Sequence, residues 1–200
     1  MAKPDPRPDS VALLEKLVAA LATKGIVTEA EIAEKRAATE RASPELGARM
    51  VARAWLDPQF RARLLADGTA VAAEMGAMMK GNPPLGVLED TPAVHHLVVC
   101  TLCSCYPRAV LGFPPHWYKS SAYRARAVRD PRGVLAEWGT VLPPGMSVRV
   151  VDSTADYRWM VLPMRPAGTE GWSEDQLVAL LGADELVGVA LPRVAQAAAA

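Results

Sequence analysis

Cys100, Cys103 and Cys105, the only cysteines of the chain, fall within one hexapeptide, Cys100-Thr101-Leu102-Cys103-Ser104-Cys105. Isolated cysteines are packing residues. Three thiols at i, i+3 and i+5 can converge on one point if the backbone turns tightly around it. Thiolates are soft donors, so that point suits a borderline or soft metal ion. A closed structural zinc site needs four ligands, usually from two separate Cys/His pairs, and no second pair is present. His95 and His96 precede the cluster, but on an extended segment they point to opposite faces. The odd count and the chain length argue against a disulfide framework. A redox pair, Cys100–Cys103 or Cys103–Cys105, would normally open a helix; Pro107 and the lack of a helical pattern over 100–106 argue against one. A further geometry uses the backbone. If a strongly Lewis-acidic ion deprotonated the amides of Ser104 and Cys105, they would complete a square plane with the sulfurs of Cys103 and Cys105. Cys100 would then be axial and one position would stay open. At this level a metal claw, a zinc module and a thiol redox module all remain readings of the hexapeptide.

The elements that must position the claw can be read on either side of it. Leu97-Val98-Val99 is β-prone and Tyr106-Pro107 closes a loop, so the cysteines sit where a buried strand ends. Short strands are expected at 86–89, 94–99, 147–152, 157–162 and 186–191. In the third, Val148 and Val150 share one face, Arg149 and Val151 the other. Helices are expected near 120–128, 131–138 and 173–181, with Asp130-Pro131 and Ser173-Glu174 marking two starts. Gly81-Asn82-Pro83-Pro84-Leu85-Gly86 is a boundary, and the text before it is helical. Ser10 is an expected N-cap for a helix with the stripe Leu14, Leu17, Val18, Leu21, stopped at Gly25. Thr28 with Glu31 makes a capping box for a second helix through Arg41. Ser43-Pro44 opens a third, Asp57-Pro58 a fourth that ends near Asp67-Gly68, and a fifth runs from Thr69 to Met79. The reading is an α+β chain: a helical N-terminal arm over 1–80, then a layered α+β metal-binding catalytic domain over 81–200. The arm is expected to pack on a partner.

Composition narrows the partners. Lys+Arg and Asp+Glu both number 22 in 200 residues, for a formal charge of zero, so no basic face for nucleic acid is implied. No apolar run reaches membrane-spanning length. The proline-rich start, Met1-Ala2-Lys3-Pro4-Asp5-Pro6-Arg7-Pro8, lacks the apolar core of a signal peptide, and a cytoplasmic location is expected. Residues 1–9 are expected to be a disordered lead-in, and Ala197–Ala200 to fray.

Val99-Cys100-Thr101-Leu102-Cys103-Ser104-Cys105 resembles the metal-binding motif of the nitrile hydratase α subunit. The match continues through Tyr106-Pro107, Val110-Leu111-Gly112, Pro114-Pro115, Trp117-Tyr118-Lys119, Tyr123-Arg124-Ala125-Arg126, Asp130-Pro131-Arg132 and Arg165-Pro166-Ala167-Gly168-Thr169-Glu170. It covers roughly residues 85 to 192. Thr101, where iron members usually carry Ser, resembles the cobalt class, so the resemblance implies a non-corrin Co(III) in preference to iron. It implies metal ligation by Cys100, Cys103, Ser104 and Cys105, the last two through amide nitrogen. Cys100 would be an unmodified thiolate, Cys103 a sulfinate and Cys105 a sulfenate, two rungs of the cysteine oxidation ladder. The implied activity is that of a hydro-lyase converting a nitrile to its amide, with Cys105, Cys103 and Ser104 as catalytic residues. The implied partners are a β-type subunit or its split equivalent, which would bring arginines to the oxidised sulfurs, and a maturation or activator protein.

Several positions depart from that family or add to it. The usual Trp-Pro after Tyr-Pro is here Arg108-Ala109. An arginine at this place resembles thiocyanate hydrolase, a sister family with the same claw and an anionic substrate, so the metal-bearing subunit of that enzyme is the alternative function. The other reading of Arg108 is a surface contact. Arg108 and Trp117 are the expected substrate contacts, Trp117 as a pocket wall. A glutamine common in the family about nineteen residues before the first cysteine is replaced by Gly81. His95 and His96 read as hydrogen-bonding residues. Tyr118, Arg124, Arg126, Asp152 and Glu170 read as ion pairs or interface contacts.

Overall fold

In the computed structural model, residues 8–194 are described. They carry eleven helices and four strands: α1 Pro8–Thr23, α2 Glu29–Arg41, α3 Glu45–Leu56, α4 Pro58–Ala66, α5 Gly68–Glu74, β1 Leu85–Glu89, β2 Val94–Val99, α6 Arg108–Leu111, α7 His116–Lys119, α8 Ser121–Arg129, α9 Pro131–Glu137, β3 Ser147–Asp152, β4 Arg158–Leu162, α10 Glu174–Val178 and α11 Ala183–Leu186. The mixture is α+β, as the sequence implies. Two compact units divide the chain, Met1–Ala42 and Ser43–Ala200. The break in sequence pattern at 81–86 is thus not where the units part. The helices between residues 43 and 80 belong to the second unit, because α3 packs on α4, α6 and α10, and α4 and α5 pack on β1.

In the first unit α1 covers Pro8–Thr23 of the described residues, so Ser10 lies inside the helix and is not its N-cap. Gly25 at φ +65° ends the helix with bonds from Ile26 N to Leu21 O (3.0 Å) and Gly25 N to Ala22 O (2.9 Å), a left-handed C-terminal cap. Leu14 and Leu17 of the stripe are exposed. The Thr28–Glu31 capping box forms: Thr28 N donates to Glu31 Oε2 (2.8 Å) and Glu31 N to Thr28 Oγ1 (3.2 Å). The expected lead-in over 1–9 falls mostly on residues 1–7, and the fraying of Ala197–Ala200 wholly beyond 194, outside the described residues.

In the second unit Asp57 caps α4 through Gln59 N (2.8 Å) and Phe60 N (3.1 Å). The fifth helix stops at Glu74, short of the expected Met79, because Gly76 takes φ +94° and Ala77 N bonds back to Ala72 O (2.9 Å). The strands form two parallel pairs, β1 with β4 and β2 with β3. In the second pair Val99 lies opposite Asp152. β2 is buried from His95 to Val99, whereas β3 is half-buried or exposed throughout. Parallel strands covered on both faces read as continuous apolar runs, and of this pair β2 does so at its claw end whereas β3 does not. The expected strand at 186–191 is absent. That stretch is α11 followed by a turn at Gly188 (φ +81°), yet it still lies along β2, with Val98 N donating to Val187 O (2.9 Å). α6 and α7 were not expected; each is a single turn, too short to show a period.

Candidate metal centre

β2 delivers Cys100 directly from its last residue, so the first sulfur starts inside the core. Cys100 and Cys105 are buried and Cys103 is exposed between them. The loop turns back on itself without any residue in the left-handed region. Sγ of Cys103 lies 3.6 Å from that of Cys100 and 3.3 Å from that of Cys105. Among the described residues these three form the one group of His, Cys, Asp or Glu ligand atoms placed to hold a metal ion, all within 4.8 Å of one another. The spacing fits a shared ion. Two sulfurs at about 2.3 Å from one metal are about 3.3 Å apart at a right angle and about 3.8 Å apart at the tetrahedral angle. A disulfide would need about 2.05 Å, and all three cysteines are free.

The backbone also faces the sulfurs. Cys103 N donates to Cys100 Sγ at 3.2 Å. Hydrogen bonding from the Cys105 thiol, then from the Ser104 amide and the Cys100 thiol, holds the Cys103 thiol below its usual range. Burial, with hydrogen bonds to Cys103 and Cys100, pushes Cys105 up to about 12. Of these two sulfurs the exposed one thus gives up its proton more readily, and burial opposes charge on the other.

Four side chains hold the loop from behind. Asp152, at the end of β3, accepts from Thr101 N at 3.1 Å and from the Thr101 hydroxyl. Arg124 of α8 donates to Thr101 O at 3.2 Å. Tyr118 donates to Cys105 O at 2.8 Å and Tyr123 to Val98 O at 2.7 Å. These clamps fix the loop's first and last peptides and the strand that feeds it. Sequence reading missed them as a set, although the signal exists: parallel pairing of 94–99 with 147–152 puts Asp152 opposite Val99, one residue before the claw. Arg126, by contrast, forms the expected kind of ion pair, 2.6 Å to Glu137.

Arg108 opens α6 three residues past Cys105, its guanidinium 4.1 Å from the centre of the Phe113 ring. It lines a cavity of about 180 Å³ with Tyr106, Pro107, Leu85 and Arg158. Trp117 is not among the residues lining that cavity; it stacks edge-on against Tyr118, Tyr123 and Trp138 at centroid distances of 4.6 to 5.8 Å. It thereby supports the two tyrosines that hold the claw. Ser104 is half-buried between the outer cysteines. His95 and His96 turn away from the sulfurs to Asp90, in keeping with the hydrogen-bonding role expected of them.

Residues 9–190 match the family described as nitrile hydratase, alpha chain. The low-molecular weight cobalt-containing nitrile hydratase subunit alpha of Rhodococcus rhodochrous is 50% identical over 182 residues, spanning 90% of this chain and 88% of that subunit. Thiocyanate hydrolase subunit gamma of Thiobacillus thioparus is 42% identical over 206 residues, spanning 96% and 85%. Among solved structures, a double mutant of the iron-type nitrile hydratase from Comamonas testosteroni superposes with a TM-score of 0.87 at 40% identity, over 98% of this chain and 100% of that one. A cysteine claw at the end of a buried parallel strand, a family match over nearly the whole chain and relatives of this identity converge: the chain belongs to the nitrile hydratase α-chain family.

Proposed function

We propose that this chain is the metal-bearing subunit of a cobalt nitrile hydratase, a hydro-lyase that adds water to a nitrile to give the corresponding amide. The observation that carries this reading is the convergence of three unlinked sulfurs at 3.3 and 3.6 Å in a loop clamped at both ends. The donor set is soft, and Co(III) is supported over iron by Thr101 within the motif and by the cobalt-containing relative. Cys100, Cys103 and Cys105 would bind through sulfur, and Ser104 and Cys105 through their amide nitrogens. The chemistry supplied by cobalt at this set is Lewis acidity toward the nitrile nitrogen.

The chain's own residues do the remaining work. Cys103 as sulfinate and Cys105 as sulfenate place oxygens beside the reacting carbon. The nucleophile is the Cys105 sulfenate oxygen or a water held by it. If water attacks, its oxygen ends on the former nitrile carbon; if the sulfenate oxygen attacks, that oxygen does and the water oxygen restores the sulfenate, the two hydrogens of water ending on nitrogen in both cases. The Ser104 hydroxyl steadies an oxidised sulfur, and Trp117 braces Tyr118 and Tyr123, which hold the claw loop. Arg108 contributes a cation at the rim, in the cavity that follows Cys105. The site is completed by a β-type subunit or its split equivalent, and filled with the help of a maturation protein. The helical N-terminal segment is the arm that engages the partner. Among the described residues no helix is long and apolar enough to cross a membrane.

Arg108 and the gamma-subunit relative favour a second reading, the metal-bearing subunit of thiocyanate hydrolase. One experiment separates the readings. The chain is expressed with cobalt, its partner subunit and its maturation protein, then assayed for metal, intact mass and turnover. About one cobalt per chain and about 48 Da of added mass, three oxygens on two cysteines, establish the claw. Amide formation from nitriles then supports the first reading, and thiocyanate consumption the second. Zinc or no metal with unmodified thiols under these conditions would sink both and leave a thiol or zinc module.

A further inference from the structure

His95 lies on β2 five residues before the claw and is 2% exposed. One ring nitrogen is hydrogen-bonded to a carbonyl and the other lies at ion-pair distance from a carboxylate. Nδ1 is 2.8 Å from Asp90 Oδ2, and Nε2 is 2.7 Å from Gly188 O. A neutral imidazole carries one N–H and one lone pair. A neutral ring protonated at Nδ1 would aim its Nε2 lone pair at Gly188 O, and one protonated at Nε2 would set an uncharged Nδ1 2.8 Å from a buried carboxylate oxygen that no hydrogen bond satisfies. A proton on Asp90 would be the other remedy, but that carboxylate already accepts from His96 N at 2.7 Å and contacts His96 Nδ1 at 3.1 Å. Such bonds favour its ionised form.

The partner on the far side of His95 is as closely fitted. Gly188 adopts φ +81°, and a Cβ there would lie 1.9 Å from His96 O. The same segment accepts from Val98 N through Val187 O (2.9 Å) and from the Thr140 hydroxyl through Val189 O (2.8 Å). An exposed strand edge needs partners for its N–H and C=O groups. On β2, Asp90, Val187 and the Tyr123 hydroxyl supply them at His96 and Val98.

We propose that His95 is a buried imidazolium which, paired with Asp90, clamps the 187–189 segment onto β2, and that this clamp makes the anchorage of the claw-bearing strand loosen at alkaline pH. Burial opposes the charge on His95, but Asp90 outweighs it and holds the imidazole above its usual range; Asp90 is held below its own, against the same burial penalty. The other ionisable groups around the clamp are few. Arg132 of α9 opposes the imidazolium. Arg149 of β3 stands opposite His96. Glu89, next to Asp90, is engaged by Arg61. Asp184 and Glu185 lie on α11, just before the clamped segment. The stability His95 contributes is full below its unfolded value of about 6.5 and is lost as pH rises through the higher folded value. That from Asp90 is full above about 3.9 and is lost as pH falls through its lower folded value. The clamp is complete between those limits.

The full-length chain, labelled with nitrogen-15 at histidine, tests the charge directly. Long-range proton–nitrogen spectra at pH 7 should show both His95 nitrogens protonated, the signal being assigned by its loss in His95→Gln. A bare ring nitrogen on His95 at that pH overturns the proposal. Where His95→Gln fails to fold, His96→Gln and His116→Gln assign the signal by elimination. Hydrogen exchange at the Val98 amide supplies the second readout. Corrected for the intrinsic rate, it should quicken roughly tenfold between pH 7 and pH 10, the effect of one lost buried hydrogen bond. It should be equally fast at both pH values in Asp90→Asn. Protection that does not change with pH in the wild type overturns the proposal.

Discussion

The two ends of β2 make an instructive pair. At its start, His95, His96 and Asp90 are buried polar groups that answer one another and the Gly188 carbonyl. At its end, three sulfurs are held in place by their backbone, but their side chains meet chiefly each other. Buried polar groups normally find partners. A cluster that pairs within itself stiffens the fold, whereas soft donors that converge on one point are arranged to share a metal ion. The same strand thus leads from a self-paired polar site to a metal-binding one, with five residues from His95 to Cys100.

Substitutions at the two ends should separate accordingly. The largest effect belongs to the metal-binding end. Cys103→Ala should abolish cobalt retention, from about one ion per chain to background by metal analysis. The unfolding midpoint of the metal-free chain should barely move, since Cys103 is exposed. A large drop in that midpoint would show that the thiol is part of the packing. At the self-paired end Asp90→Asn should cost about 3–5 kcal/mol in urea unfolding, because it leaves the buried His95 unpaired. A loss below about 1 kcal/mol would erase the contrast between the two ends. Gly188→Ala comes next, at about 2–3 kcal/mol, from a strained φ and a clash with His96 O. Full stability in that variant would mean the segment can shift off β2. The smallest effect on stability, about 1 kcal/mol or less, is expected from Asp152→Asn, which keeps the shape but weakens the hold on Thr101. That variant should instead lower the fraction of chains recovered with oxidised cysteines, measured by intact mass. Unchanged oxidation would show that the loop needs no clamp from β3.

The claw was the most legible part of the sequence because it is local: six residues contain every sulfur, and spacing alone restricts what they can do. Helix ends written in Thr28–Glu31, Asp57-Pro58 and Gly25 were equally plain, since a cap is a short-range event. The rest needed contacts between distant residues. Asp152, Arg124, Tyr118 and Tyr123 reach the claw from three other elements, and only the parallel register tells which of them arrive. The stretch 186–191 has the apolar text of a strand, and it does supply a bond to β2. A glycine at positive φ and the short helix before it prevent it from continuing as one. The helices of residues 43–80 look continuous with the N-terminal ones in pattern, and only packing assigns them to the second unit.

The parallel pairing of β2 with β3 also imposes an order in time. Two parallel neighbours cannot be joined by a tight turn, and here roughly fifty residues separate Val99 from the strand that completes its ladder. At ribosomal speeds of about 5–20 residues per second, the three thiols are made several seconds before Asp152 exists to fasten Thr101. During that interval the cysteines belong to an unfinished strand end and can be reached from any side. Once β3 docks, the loop is drawn into its final shape and approach is restricted to the exposed Cys103 side.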